Sequence, residues 1–124
     1  MLTPDSETLV TVDDGVELLA MHFEPRCDDP GDPVVFVAGW ISTLAGWAHL
    51  IEGLAETRPV IYLETREKRS AQITRERLGP PDFTIGRNAD DLIAACEALD
   101  LDLARTTIIG SSLGATIVLE ACKG

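Results

Sequence analysis

Apolar and polar residues alternate in the first part of the chain in a way that predicts strands. Residues 9–12 and 16–23 flank the turn Asp13-Asp14-Gly15, and apolar residues recur at every second position in the second segment. Two such segments around a short turn predict an antiparallel hairpin. Residues 34–38 are apolar without alternation, which is typical of a strand covered on both faces. The pattern therefore predicts a hairpin followed by a buried strand.

Helical patterns and short apolar strands then alternate along the chain. Apolar residues recur at helical spacing in residues 47–55, 89–99 and 113–122, and the short apolar strands are residues 60–63 and 106–109. Asn88 is the predicted amino cap of the second helix. The third helix is apolar nearly all round, which predicts burial on several sides.

The order of these elements indicates the fold class. After the hairpin the order is strand, helix, strand, helix, strand, helix, which is the signature of a parallel sheet with right-handed crossover connections. The sequence predicts an α/β fold: a mostly parallel sheet with an antiparallel amino-terminal hairpin at one edge and helices on both faces. A polar connection at residues 64–86 interrupts this order and is expected to lack regular structure.

Length and net charge limit the number of domains and the class of partner. The 124 residues allow one domain, or part of one. The chain has 10 basic and 21 acidic side chains, for a net charge of −11, and a strongly negative chain repels a phosphate backbone. We therefore expect no nucleic-acid partner. Many acidic residues with few lysines are typical of proteins from salt-rich cytoplasms. This composition therefore suggests the hypothesis that the protein comes from a halophile.

The polar connection also carries a local basic cluster. Its members are Arg66, Lys68, Arg69, Arg75 and Arg77. Acidic residues are interspersed among them, so the sequence favours a solvated loop over an anion-binding site. The cluster gives only a faint indication of an acidic substrate.

Cysteine use and motif content exclude several classes of site. Cys27, Cys96 and Cys122 are an odd number without a Cys-x-x-Cys pair, which predicts reduced thiols rather than disulfides or a zinc site. No dinucleotide or phosphate-loop fingerprint occurs, so we expect no metal and no cofactor. The chain has no apolar run of about 18 to 20 residues and no secretory signal at its start, which predicts a cytoplasmic protein without a membrane partner.

One motif carries chemistry. Gly110-Ser111-Ser112-Leu113-Gly114 fits Gly-x-Ser-x-Gly, and it lies between a predicted strand and a predicted helix. Gly110 and Gly114 leave room for strand and helix to pass closely, so that Ser112 can present its hydroxyl at a strained turn. The N–H of Leu113 at the helix start can stabilise an oxyanion. The alternatives are a turn that only begins a helix, or one that cradles a phosphate.

With this motif in place, the chain resembles the amino-terminal part of an α/β-hydrolase-fold protein over nearly all of residues 1–124. In that family the strand matching residues 34–38 ends in a His-Gly-x turn whose last N–H joins the oxyanion hole. Here the turn reads Ala38-Gly39-Trp40, so the resemblance implies Trp40 as the second donor, with Ile41 as the neighbouring alternative. Trp47 resembles the tryptophan that begins the first helix of many members, and core packing is its favoured role.

The resemblance extends to the segment after residues 60–63. Many relatives carry an Asp-x-Arg-Gly-x-Gly-x-Ser turn there, and Arg66 matches the arginine of that turn while the glycines are missing. The family order of catalytic residues is serine, then an acid, then histidine, but after Ser112 the sequence offers only Glu120 and no histidine. His22 and His49 come too early, and both are expected to be structural.

The missing base leaves two explanations open. The favoured one is that the chain is the front of a serine hydrolase acting on an ester, thioester or amide, with its acid and histidine in a further carboxy-terminal segment. Residues 1–124 alone are then expected to be inactive, and the exposed last strand could associate with other strands. The alternative is a non-catalytic binding or scaffold module, and an acyltransferase would use the same turn.

Overall fold

A computed structural model describes residues 2–39, 42–74 and 79–123. The strands are β1 (Ser6–Asp13), β2 (Val16–Phe23), β3 (Val34–Val37), β4 (Val60–Leu63), β5 (Gln72–Ile73) and β6 (Thr107–Gly110). The helices are α1 (Ala48–Ala55), α2 (Ile85–Ala98) and α3 (Leu113–Ala121), with short 3₁₀ segments at Ala45–Trp47, Pro80–Phe83 and Leu103–Arg105.

The strands form one mixed sheet in the order β1-β2-β4-β3-β6, with β5 paired to β2. β3 is parallel to both β4 and β6, whereas β1 and β2 form an antiparallel hairpin at the other edge. The predicted fold class and hairpin are confirmed. Because the chain passes from β3 to β4 on one side and later to β6 on the other, the strand order reverses around β3. In open α/β sheets, ligands bind at the carboxyl ends of the strands at such a reversal.

Helices cover both faces of the sheet. Val35 and Val37 belong to a core cluster that also contains residues of α2 and α3. Phe36 points to the opposite face, into a cluster that contains residues of α1. Since successive residues of a strand face opposite sides, both faces of β3 and β4 are buried. This burial explains the continuous apolar runs in the sequence.

Aromatic side chains fill the face that α1 covers. The ring centroid of Phe36 lies 5.0 Å from that of Trp47 and 5.6 Å from that of Tyr62, with the Phe36 and Tyr62 planes only 7° apart. The predicted packing role of Trp47 is confirmed. The Tyr62 hydroxyl is buried without a hydrogen-bond partner among the described residues. Burial, and then the charge of Glu64, raises the pKa of Tyr62 to about 12.

The predicted start of α2 is wrong. The helix begins at Ile85, and its amino cap is Thr84 instead of Asn88. The Thr84 hydroxyl accepts a hydrogen bond from the Arg87 N–H at 3.1 Å, while Asn88 lies within the helix and its side-chain amide donates to the Thr84 carbonyl at 3.0 Å. Ile85 lies four positions before Ala89 and packs against the core cluster that contains Leu92, so the apolar spacing of the helix begins one turn earlier than predicted.

Two further predictions need correction. The connection at residues 64–86 is not without regular structure, because it contains β5 and a 3₁₀ segment, although residues 75–78 lie outside the described part. The all-round burial of α3 is also wrong for this chain: its buried residues are Gly114 and Ile117, and Leu119 is 69% exposed. The described residues cover α3 only where it faces the sheet and α2. Within the described ranges, no helix has the length and apolar character to span a bilayer.

Candidate active site

Ser112 occupies a strained turn between β6 and α3. Its backbone angles are φ 55° and ψ −118°. Among the described residues other than glycine, a positive φ occurs only here and at Asp100. Such a conformation costs on the order of 1–3 kcal/mol, and residues held in it cluster at functional sites. The turn leaves Ser112 exposed beyond the carboxyl end of β6.

The two glycines of the motif are required by close backbone contacts. A Cβ on Gly110 would lie 2.5 Å from the backbone of Gly114. A Cβ on Gly114 would collide with the carbonyl oxygen of Val37 in β3. No side chain fits in either place, so α3 can pass this close to β3 and β6 only with glycine at both positions.

The amino end of α3 lies directly after Ser112. Leu113 is the first residue of the helix, and the first N–H groups of a helix have no partner within it. The Gly114 N–H donates to the Ser111 carbonyl at 2.9 Å, which closes the turn. The Ser112 side chain does not cap the helix. The Leu113 N–H therefore lies at the positive end of the helix dipole, next to the serine.

The loop after β3 also reaches the turn. A Cβ on Gly39 would lie 2.7 Å from the Ser111 carbonyl oxygen and 3.7 Å from the Ser112 Cβ, so this backbone touches the serine turn. Trp40 and Ile41, the predicted second donor and its alternative, lie outside the described residues. Gly39 is the last described residue before them, and its own backbone lies beside Ser112.

Lys68 extends from the loop after β4 to the loop after β3. Its Nζ donates to the Gly39 carbonyl at 2.8 Å, to the Glu67 carboxylate at 3.1 Å and to the Thr65 hydroxyl at 3.2 Å. The side chain of Lys68 is only 13% exposed. The prediction of a solvated loop is wrong for this residue. The sequence contained a signal for this contact, because two consecutive parallel strands bring the residues that follow them to the same edge of the sheet. Lys68 follows β4 and Gly39 follows β3.

Arg66 is the second correction in this loop, because it is buried rather than solvated. Its guanidinium binds both carboxylate oxygens of Asp91 at 2.7 Å, with Asp13 at 3.3 Å and the Asp82 carbonyl at 3.0 Å. Burial opposes its charge, but the bonds to Asp91 and Asp13 outweigh it, so the pKa of Arg66 is raised. This cluster ties the loop after β4 to α2 and to the hairpin turn.

The residues that could activate Ser112 lie elsewhere. His22 pairs with Ile61 near the amino end of β4, whereas Ser112 lies beyond the carboxyl end of the parallel strands. His49 is an exposed residue of α1. Glu120 is eight positions further along α3, about 12 Å at a rise of 1.5 Å per residue, and it pairs with Lys123 at 3.0 Å. None of these three is placed to act as a base on Ser112.

A cavity next to the serine turn offers room for a ligand group. It has a volume of about 280 Å³ and is lined by Glu67, Phe83, Asn88 and Leu113. A larger cavity of about 480 Å³ lies near Phe23 and Ala55, towards the amino end of β4 and away from Ser112. The smaller one is therefore the more relevant to chemistry at Ser112. In the described part of the chain, His, Cys, Asp and Glu residues form no group that could hold a metal ion.

Known proteins resemble the chain in fold. No protein-family model and no curated protein matches it. Among solved structures, N-formylmaleamic acid deformylase from Pseudomonas putida matches with 21% identity and a TM-score of 0.72, over 95% of this chain and 41% of that one. An alpha/beta hydrolase from Novosphingobium aromaticivorans matches with 22% identity and a TM-score of 0.76, over 96% of this chain and 40% of that one. Epoxide hydrolase A from Mycobacterium thermoresistibile matches with 26% identity and a TM-score of 0.74, over 96% of this chain and 34% of that one.

These likenesses cover almost the whole chain, but the chain spans only about 34 to 41% of the length of those structures. They agree with the mixed sheet and the helices that pack on it. The chain has the fold of the amino-terminal part of an α/β hydrolase.

Proposed function

We propose that the protein is a serine hydrolase in which Ser112 attacks the carbonyl carbon of an ester, thioester or amide. The observation that carries the proposal is the positive φ of Ser112, 55°, held between two glycines that tolerate no side chain. A strained serine without a capping role has its hydroxyl free for chemistry. Such a turn at the carboxyl end of a strand is the place where α/β hydrolases hold their nucleophile.

The reaction would proceed through an acyl-enzyme. As Ser112 attacks, negative charge develops on the carbonyl oxygen, and the N–H of Leu113 together with that of Trp40 would stabilise it. Water then releases the acyl group and regenerates the hydroxyl. We propose that the acid and the histidine that activate Ser112 belong to a part of the protein beyond these residues, and that residues 1–124 are the amino-terminal part of one domain. The exposed apolar side of α3 supports this arrangement.

The chemistry of serine favours acyl transfer over the opening of an epoxide. Attack of a serine hydroxyl on an epoxide carbon would form an ether, which has no carbonyl for water to attack and would not turn over. Attack on a carbonyl forms an ester, which water can hydrolyse with the same oxyanion donors. The matched deformylase supports a carbonyl substrate in this fold. The cavity lined by Phe83 and Leu113 has room for part of such a substrate.

Labelling with a fluorophosphonate tests the proposal. The protein is produced from its full coding sequence, and we expect the probe to form a stable adduct at Ser112, located by mass spectrometry. Ser112→Ala should abolish labelling. Ser111→Ala is the matched control, because it removes the neighbouring hydroxyl while keeping the turn, and it should still be labelled.

Two outcomes would overturn the proposal. Equal labelling of Ser112→Ala and the unaltered protein would place the nucleophile elsewhere. A folded, full-length protein that no fluorophosphonate labels would favour the binding or scaffold module instead.

A further inference from the structure

We propose that the small cavity beside the serine turn is a substrate subsite for a neutral N–H or O–H group, and that Glu67 selects this group. The cavity has a volume of about 280 Å³, and its described wall consists of Glu67, Phe83, Asn88 and Leu113. Leu113 directly follows Ser112, so a group held in the cavity lies close to the carbonyl that Ser112 would attack. This inference rests on the proposed function and names a substrate class for it.

Glu67 has one carboxylate oxygen that no described residue binds. The Thr65 hydroxyl donates to Glu67 Oε1 at 2.6 Å, and Lys68 Nζ donates to the same oxygen at 3.1 Å. Within the described ranges, Oε2 receives no hydrogen bond. The Glu67 side chain is 22% exposed, so a ligand can reach it, and water screens its charge less than it would at the open surface.

Asn88 adds a second acceptor to the wall of the cavity. This residue is only 6% exposed, and its Nδ2 donates to the Thr84 carbonyl at 3.0 Å. Because a carbonyl can only accept, this bond fixes the amide with its nitrogen towards Thr84 and its oxygen on the other side. The Oδ1 atom is buried and has no hydrogen-bond partner in the described part of the chain. Buried acceptors are normally paired, so a donor on a ligand would complete the bonding of this amide.

The charges near the cavity favour a neutral donor over an anion. Lys68 already balances the charge of Glu67 at 3.1 Å, so a second cation is not required. The three N–H donors of Lys68 are taken by Gly39, Glu67 and Thr65, and none of the described wall residues is basic. A substrate carboxylate would find no cation here and would be repelled by Glu67. The cavity therefore gives no support to the acidic substrate that the basic cluster suggests.

Apolar side chains form the rest of the described wall. Phe83 is 42% exposed, and Leu113 is partly buried at the start of α3. An apolar wall with a few polar groups is typical of ligand pockets, in which the polar groups fix the orientation of the ligand. A site built to bind a donor rejects an analogue without it, because the acceptors of the site are then left unpaired. The subsite should therefore distinguish an N–H from a CH₂ in a substrate of the same shape.

Two pairs of esters with matched shapes test this selection. In the first pair the acyl group varies: p-nitrophenyl N-acetylglycinate has an N–H where p-nitrophenyl 4-oxopentanoate has a CH₂. In the second pair the alcohol varies, and 2-acetamidoethyl acetate and 4-oxopentyl acetate differ in the same way. The value of kcat/KM is measured for each ester with the full-length protein, and the ratio within a pair gives the preference for N–H. The pair that responds shows whether the subsite holds the acyl group or the alcohol.

Glu67→Gln is the decisive variant. It keeps one oxygen for Thr65 and Lys68 but replaces the other with an NH₂ donor, which cannot accept from a substrate N–H. Because an N-acyl group also changes the intrinsic reactivity of an ester, the quantity compared is the change in the ratio between variants. We expect Glu67→Gln to lower the ratio in one pair by at least about tenfold, as for the loss of a hydrogen bond to a charged group.

Two further variants accompany it. Asn88→Leu removes the neutral acceptor and should lower the same ratio by about 2- to 10-fold. Glu56→Gln is the matched control, because it makes the same change of charge at an exposed residue that ends α1, and it should leave both ratios unchanged. Thermal unfolding of each variant shows whether it is folded.

The outcomes separate the subsite from the proposed function. A change of less than tenfold in both pairs for a folded Glu67→Gln overturns the inference, and so does an equal change in Glu56→Gln. If Glu67→Gln does not fold, unchanged ratios in Asn88→Leu overturn it. If the unaltered protein hydrolyses none of the four esters and no fluorophosphonate labels it, the proposed function fails and the subsite with it.

Discussion

The amino ends of α2 and α3 show two uses of a hydroxyl residue in the same position. Thr84 precedes α2 with an extended backbone, φ −73° and ψ 159°, and its hydroxyl caps the Arg87 N–H. Ser112 precedes α3 with φ 55° and ψ −118°, and its side chain makes no cap. The hydroxyl of Thr84 stabilises its own helix, while that of Ser112 is left for another partner. Backbone conformation, rather than residue type, decides between the two uses.

The energies of the two helix starts differ accordingly. A hydroxyl cap contributes roughly 1 kcal/mol, whereas a strained positive φ costs on the order of 1–3 kcal/mol. α2 has a second anchor, because Asp91 within it binds the buried Arg66. α3 begins with strain and is held by the buried Ile117, by the close backbone contact at Gly114 and by packing against α2. The start of α2 is thus stabilised by a cap and an ion pair, whereas the start of α3 is strained and is the place of the proposed chemistry.

The largest expected effect comes from removing the anchor of α2. Arg66→Met should lower the free energy of unfolding by about 3–5 kcal/mol, because it leaves the Asp91 carboxylate buried without its partner. Urea unfolding measures this loss. Arg105→Met is the matched control: the Arg105 side chain is 71% exposed in its pair with Asp32, so it should lose less than about 1 kcal/mol. Equal losses in the two variants would show that Arg66 does not anchor the helix.

A smaller effect tests the two hydroxyls directly. Thr84→Ala should lower the free energy of unfolding by about 1 kcal/mol, since it removes a cap. Ser112→Ala should change it by less than about 0.5 kcal/mol, because no cap is lost and alanine tolerates the turn no better than serine does. Parallel urea titrations of the two variants give the comparison. If Ser112→Ala is as destabilising as Thr84→Ala, then the Ser112 hydroxyl has a structural role that the geometry does not show.

The smallest expected effect uses the cysteines of the two helices. Burial, and then the charge of Glu97, raises the pKa of the Cys96 thiol in α2 above its ordinary value of 9.0, while Cys122 at the end of α3 is exposed. As the pH rises, the Cys96 thiol therefore ionises in the unfolded chain before it ionises in the folded protein. The stability from Cys96 is therefore complete below pH 9 and is lost as the pH rises through the folded pKa. Urea unfolding between neutral pH and pH 10.5 should show this decline.

Substitution of each thiol in turn tests whether Cys96 causes the loss of stability in alkali. Cys96→Ala should be less stable at neutral pH but should lose less of its remaining stability in alkali. Cys122→Ala should follow the unaltered chain. A decline of the same size in Cys96→Ala would assign the alkaline loss to other groups.

Local features of this fold could be predicted from the sequence, and distant contacts could not. The buried strands β3 and β4 are confirmed because an unbroken apolar run has few other interpretations. The serine turn could be located because its parts are five consecutive residues, and its role stays a prediction. Arg66 was misassigned because its carboxylate partners lie 53 and 25 positions away. Lys68 was missed for the same reason, since Gly39 is 29 positions away and its acceptor is a backbone oxygen.

The pairing of β3 with β6 has a further consequence for accuracy in folding. Val37 pairs with Gly110, and this register sets Gly39 beside Ser112. A slip of one residue would move the loop by about 3.3 Å, and it would also exchange the two faces of β3. Phe36 would then be forced among the aliphatic residues that pack under α2. The side chains on the two faces of β3 differ in size, so a shifted register would pack poorly. This difference favours the register that aligns the proposed catalytic groups.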